Sequence, residues 1–376
     1  MGVKNRIDAQ RLELREWKIR RDLSKGAKGS DRKTLENSEV CQTLRHIRGS
    51  HLVTHLVHRH PDWRIINLDI LDYCCSPRSL ESVEHRANYT FIRGDVCSHR
   101  LVHHIFKTEN IDVIFHLAAK THVESSFKSS LDFQRVNIEG TRVLLKAAQQ
   151  AAHKVQKFIY VSTDEVYGPG IDQVFDESCP MRPSNPYSAT KAAAEFLVQS
   201  YWEKYKFPII ITRSNNIYGP RQFTEKVIPR FISLLQRNEK CTIQGTLPKS
   251  RHFLFVDDAI SAFLLVLEKG IVGEIYNVGS GCEVPIVQLA WELIKMVKKV
   301  PDSEVNDWTE FVPDRPKVDL RYPIDCEKLQ RLGWRAEVCW TEGIRQTVKW
   351  YEDHLDFWAN SSDDSKASPE LLHSAL

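Results

Sequence analysis

The 376-residue chain lacks an apolar run long enough to cross a bilayer. Its longest runs, such as Ala259 to Leu267, fall far short of the roughly 20 residues a spanning helix needs. No membrane association is expected. The chain also lacks an excess of one charge sign. Its 52 Lys and Arg stand against 49 Asp and Glu, a formal net charge of +3, which gives no general basis for binding nucleic acid. No Cys-x-x-Cys pair occurs among its nine cysteines (Cys41, Cys74, Cys75, Cys97, Cys179, Cys241, Cys282, Cys326 and Cys339). Their odd number does not close a disulfide framework, so reduced thiols in an intracellular, cytoplasmic setting are expected, and no metal site. The first forty residues lack the apolar centre of a secretory signal. Arg6 stands where a myristoylation motif after Gly2 wants Ser or Thr. No internal repeat occurs.

What is present, at 42% hydrophobic and 27% charged, is the composition of a globular protein with one large or two moderate domains. Residues 1–40 read as an atypical polar arm. A helix is expected from Ser50 to about His60, with Leu52, Val53, Leu56 and Val57 as its apolar face and Pro61 as its stop. Short apolar segments at Arg64–Leu68, Tyr89–Ile92, Ile111–Leu117, Phe158–Val161 and Pro208–Arg213 read as strands. Helices, including one from about Phe133 to Ala152, alternate with them. That alternation predicts an α/β fold with a doubly wound parallel sheet over 41–220. Beyond Gly219-Pro220 the pattern becomes mixed, and 221–358 reads as a smaller substrate domain with elements returning to the sheet. Residues 359–376 read as a disordered tail.

Two motifs carry chemistry. Ser162-Thr163-Asp164-Glu165-Val166-Tyr167-Gly168 follows the strand ending at Val161, at the carboxyl edge where open α/β sheets hold ligands. Thr163 can donate a hydrogen bond, while Asp164 and Glu165 can supply an acid and a base. Tyr187 and Lys191, in Tyr187-Ser188-Ala189-Thr190-Lys191, lie one helical turn apart on one face. There the lysine cation should favour the phenolate. Hydride transfer followed by loss of water needs such a set. Asp69, closing an early strand, is placed to accept from the ribose hydroxyls of NAD and to repel the extra phosphate of NADP. Asp95 and Val96 follow the next strand and could face the adenine. Leu117, Ala118 and Ala119 have small side chains that would let a cofactor approach. Arg251 and Arg315 are candidates for pairing with a diphosphate, with Asn216 and Lys226 nearby. Taken singly, each of these also fits an ordinary turn, cap or surface residue.

Together these residues resemble the extended short-chain dehydrogenase/reductase superfamily. The Thr-Asp-Glu triplet is most similar to its nucleotide-sugar dehydratase branch, the dTDP-glucose 4,6-dehydratases. Asn67-Leu68-Asp69, Gly94-Asp95-Val96, His116-Leu117-Ala118-Ala119, Asn185-Pro186-Tyr187, Ser214-Asn215-Asn216-Ile217-Tyr218-Gly219-Pro220 and Asp314-Arg315-Pro316 extend the match from about Ser50 to about Tyr351. The resemblance implies a Rossmann-like fold, bound NAD, a homodimer, and conversion of a nucleotide-diphosphoglucose, dTDP- or UDP-linked, to its 4-keto-6-deoxy product. In it Tyr187 with Lys191 deprotonates the 4-hydroxyl and Thr163 binds the 4-keto oxygen. Glu165 takes the C5 proton and Asp164 protonates the leaving 6-hydroxyl. The alternatives are another NAD-dependent nucleotide-sugar epimerase or decarboxylase, or an inactive relative that binds a nucleotide sugar.

The sequence departs from the family at its start. Counting back from Ser50-His51, the family's Gly-x-x-Gly-x-x-Gly turn falls on Thr43, His46 and Gly49, and only the last is glycine. Arg45, His46 and Arg48 are expected to crowd the pyrophosphate, and Ser38 to Arg45 does not read as a buried strand. A weakened NAD site is therefore expected. Lys317-Val318 stands where many bacterial relatives carry Gly-His.

Overall fold

The computed structural model describes residues 39–43, 47–170, 173–245, 249–313 and 321–358. The body of the expected arm, the tail, His46 and Arg315 lie outside those residues. In chain order the strands are β1 (Glu39–Thr43), β2 (Arg64–Asp69), β3 (Tyr89–Arg93), β4 (Ile111–His116), β5 (Lys157–Thr163) and β6 (Ile209–Ser214). Then follow β7 (Asn216–Tyr218), β8 (Cys241–Gln244), β9 (Ser250–Phe255), β10 (Ile275–Val278), β11 (Glu283–Pro285) and β12 (Thr309–Val312). Seven form a parallel sheet in the order β10-β6-β5-β4-β1-β2-β3. The smaller sheets are β11-β9-β7 and β12-β8.

The continuous apolar runs are what a sheet covered on both faces demands. Along β5, Ile159 and Val161 enter one core while Phe158 and Tyr160 enter the other, the period-two alternation of a strand. The first core takes the apolar face of helix Ile47–Arg59, namely Leu52, Val53, Leu56 and Val57. The second takes Val143, Leu144 and Leu145 of helix Gly140–Gln149. The strand order reverses direction between β1 and β4, and at such a switch point a crevice opens beyond the carboxyl ends of the strands.

Two elements differ from the sequence reading. Glu39–Thr43, within the segment that did not read as a strand, is an interior strand of the sheet, hydrogen-bonded to β2 and β4. Its polar letters hid it. Glu39 opens the strand at the rim, where its carboxylate takes Arg64 at 3.1 Å and the Asn110 N–H at 2.7 Å. Val40 is fully buried. The helix expected over 133–152 is instead Ser130–Phe133, a π-helical turn Gln134–Glu139, and Gly140–Gln149. The wide turn turns Asn137 inward. Its amide bonds both backbone groups of Lys120, at 2.7 and 3.0 Å, and Thr190 of the tyrosine helix at 2.9 Å. Wide turns of this kind cluster at functional sites. No helix among the described residues is long and apolar enough to cross a membrane.

Candidate active site

Thr163 ends β5, and its hydroxyl accepts the Glu165 N–H at 3.3 Å, capping the short helical turn Asp164–Tyr167. The cap fixes the two carboxyls in different surroundings. Asp164 is buried; it accepts the Thr163 hydroxyl at 3.1 Å and the Asn215 amide at 2.8 Å. Burial pushes its pKa up to about 7, with Glu165 adding to the rise and the bonds from Asn215 and Thr163 opposing it. Glu165 is half-buried and accepts the Asn185 amide at 3.1 Å.

Asn185 also caps helix Pro186–Tyr205. Its side chain takes the Ser188 N–H at 2.9 Å, the Ser188 hydroxyl takes the Asn185 N–H, and Pro186 needs no partner in the first turn. This sets Tyr187 and Lys191 on the buried face. Their electrostatics differ from the expectation. Lys191 donates to the Val161 carbonyl at 2.8 Å and lies 4.2 Å over the Tyr160 ring. Burial, and then Arg48, pull its pKa down to about 7. Burial and then Glu165 raise the Tyr187 phenol above its ordinary value, with Arg48 opposing. Desolvation is the largest influence on both groups.

Thr163, Glu165, Tyr187 and Lys191 line one cavity of about 460 Å³, together with Leu117 and Ala119. Asn216, Lys226 and Arg251 line the same cavity. Lys226 donates to the Thr121 carbonyl at 3.2 Å, and the Arg251 guanidinium lies 5.5 Å from the Tyr322 ring centre. A second cavity of about 170 Å³, lined by Ser50, Asn67, Cys75 and Asp69, lies at the ends of β2 and β3. The Asp69 carboxylate accepts the Leu71 N–H there at 2.7 Å. Helix Ile47–Arg59 stands between the two, giving Ile47 and Arg48 to the larger cavity and Ser50 to the smaller. Gly49 is buried in that first turn.

Four expected cofactor residues, Gly49, Asp95, Val96 and Ala118, line neither cavity. Asp95 is held by Arg135 at 2.8 Å and by the Cys97 N–H at 2.9 Å, so its carboxylate is already committed. Val96 is buried against Gly140, and Ala118 belongs to the core. Arg48, expected to crowd a phosphate, faces the acid/base cluster instead. Its charge interacts with Tyr187, Asp164 and Glu165. The sequence reading gave no role to the side chains of Asn185 and Asn215. Asn185 carried a signal, an Asn directly before a helix-starting Pro. Asn215 carried none beyond its neighbour Asn216, which alternation sends to the opposite face.

The family model described as GDP-mannose 4,6 dehydratase matches residues 47–347. The chain belongs to that family. Within reach of this 4,6-dehydratase-family chain is the dTDP-D-glucose 4,6-dehydratase of Homo sapiens, 53% identical over 312 residues, covering 83% of this chain and 89% of the relative. The Bos taurus protein of the same name is 52% identical over 313 residues, with 83% and 88% covered. Among solved structures, the dTDP-glucose 4,6-dehydratase of Streptomyces venezuelae with NAD and TYD bound superposes with a TM-score of 0.81 at 32% identity. It covers 86% of this chain and 100% of that one.

Proposed function

We propose that the protein is a hydro-lyase converting dTDP-glucose to its 4-keto-6-deoxy derivative. The observation that carries the reading is the pair of adjacent carboxyls held apart in character beside Tyr187. Asp164 is poised to stay protonated near neutrality, with its pKa about 7, and Glu165 faces the open cavity. An elimination needs one group to give a proton and another to take one. The alternative epimerase and decarboxylase readings need no such second pair.

The donor set fits NAD. Asp69 offers a buried carboxylate for ribose hydroxyls in the smaller cavity. Leu117 and Ala119 leave room beside Tyr187 and Lys191 in the larger. The helix turn at Ile47–Ser50, positive at its amino end, lies between them. Bound there, NAD would supply the hydride acceptor for the sugar C4 and the hydride donor for C6. Tyr187 acts as the phenolate, which the nearby Arg48 cation favours against burial, and takes the 4-hydroxyl proton, while Thr163 donates to the 4-oxygen. Glu165 removes the C5 proton acidified by the ketone, and Asp164 protonates the departing 6-hydroxyl. Asn216, Lys226 and Arg251 hold the nucleotide diphosphate, with Arg315 as a further candidate. Residues beyond about 220 serve as the sugar-nucleotide domain.

The protein is read as cytoplasmic, in keeping with eight described cysteines that are all free. It is read as a homodimer through helix Pro186–Tyr205. Ala189, Ala193 and Phe196 lie along one stripe of that helix; Phe196 is 61% exposed, and Phe127 and Leu131, on the two short helices that pack against it, are exposed as well. Purified protein incubated with dTDP-glucose should yield a product lighter by one water, and Asp164→Asn should not. Intact substrate after long incubation with a chain shown to carry NAD would defeat the reading. UDP-glucose in competition reports the base preference.

A further inference from the structure

We infer that Arg48 sets the redox preference of the dinucleotide site, favouring the reduced, uncharged nicotinamide over the oxidised, cationic one. The inference rests on the cofactor reading above. Arg48 is the second residue of helix Ile47–Arg59 and lines the large cavity with Thr163, Glu165, Tyr187 and Lys191. The groups whose charges it feels are the Tyr187 phenol and the Asp164 and Glu165 carboxyls.

The proposed oxidation breaks the sugar C4–H bond, whose electron pair and hydrogen pass to the nicotinamide as hydride. The 4-hydroxyl proton goes to Tyr187, and a C4 carbonyl forms. Donor and acceptor carbons must lie within about 3.5 Å for such a transfer. The acceptor ring therefore shares the cavity with the group that faces Tyr187 from the helix turn, and that group is Arg48.

Its guanidinium stays protonated. Burial pulls its pKa down, and the three acidic neighbours hold it up. The nicotinamide ring carries one positive charge when oxidised and none when reduced, while the rest of the dinucleotide keeps the same charge. Arg48 therefore adds repulsion to one redox state only, in a site partly withdrawn from water. The positive amino end of its helix acts with the same sign. The result is a site that draws hydride from the sugar readily and gives it back reluctantly.

The test compares the full chain with its Arg48→Gln and Arg48→Lys variants, measuring NADH binding by fluorescence and NAD⁺ binding by calorimetry. Arg48→Gln should tighten NAD⁺ relative to NADH by about tenfold, equal to a fall of about 30 mV in the potential of the bound two-electron couple. Arg48→Lys should keep the parent ratio, and Arg48→Met serves in place of glutamine should that variant not fold. An unchanged ratio in Arg48→Gln overturns the inference, as does equal tightening of both nucleotides, which would mean that the side chain acts by its bulk. Failure of all forms to bind either nucleotide overturns the cofactor reading itself, and the inference with it.

Discussion

The two walls of the large cavity are built on different terms. On the β5 and β6 side, every polar group of the acid/base cluster is held by a neighbour. Asn215 holds Asp164, Asn185 holds Glu165, and the Val161 carbonyl holds Lys191. On the β1 side the wall is a helix turn that gives the cavity Ile47 and a long cationic side chain, Arg48, where the family places a glycine-rich turn. One wall is written in reactive side chains, the other in the space that side chains leave. The first kind can be recognised from residue identity. The second depends on backbone shape, which leaves a trace in sequence only where glycine is required.

The largest effect that tests this division falls on the first wall. Tyr187→Phe removes the proposed proton acceptor and should leave the fold intact, so turnover should fall by about 10³-fold with thermal stability and nucleotide binding unchanged. A loss confined to binding would move Tyr187 out of the chemistry.

Next is the scaffold behind that wall. Glu195 and Arg213 form a fully buried pair at 2.8 Å, and Arg213 lies 4.7 Å from the centre of the Tyr167 ring. Burial works against the guanidinium, but Glu195 outweighs it and holds the pKa above its ordinary value. Glu195→Ala strands that charge and should cost about 3–5 kcal/mol in denaturant unfolding. A cost below about 1 kcal/mol, the worth of an exposed pair, would show that water reaches the pair.

A smaller and sharper effect is in pH. In the proposed elimination Asp164 gives its proton only while protonated, so turnover should fall as pH rises through about 7. Lys191 also loses its charge near 7, so two groups share that limb. Asn215→Ala separates them. The lost bond favours the Asp164 carboxylate, so removing it raises the Asp164 pKa further, and its part of the limb should move up by about one unit. A limb that stays in place belongs to Lys191.

How much was legible follows the same line. The strands from Arg64 to Arg213 were readable because strands covered on both faces must be continuously apolar. Thr163, Glu165, Tyr187 and Lys191 were readable because their types and spacing suit one reaction, and the fold brings them to one cavity. The turn position of Asp95 gave no hint of Arg135, forty residues away, which holds its carboxylate. The π-helical turn was invisible because its cause, the Asn137 amide bridging Lys120 and Thr190, is tertiary. The phenol and ammonium were judged from their pairing alone, whereas burial dominates both.

The smallest predicted effect tests the second wall at its root. β1 lies between β2 and β4, yet its sequence, Glu-Val-Cys-Gln-Thr, has little of the apolar continuity of β5 or β6. Its place is set by partners on both sides, an instance of tertiary context overriding local propensity. If that is so, its fully buried Val40 is as much a core residue as Ile159. Val40→Ala should then lower stability by about 1–2 kcal/mol, somewhat less than Ile159→Ala at about 2–5 kcal/mol because fewer methyl groups are lost. The deeper cut also reaches the site, since β1 leads toward helix Ile47–Arg59 and any loosening of the strand is passed to Arg48. Val40→Ala should therefore weaken nucleotide binding while leaving the Asp164 limb near 7, whereas Ile159→Ala, on the strand that ends at Thr163, should disturb the limb as well. A Val40→Ala chain as stable as its parent would mean that the sheet is complete without β1, and that the helix turn takes its position from β2 and β4 alone.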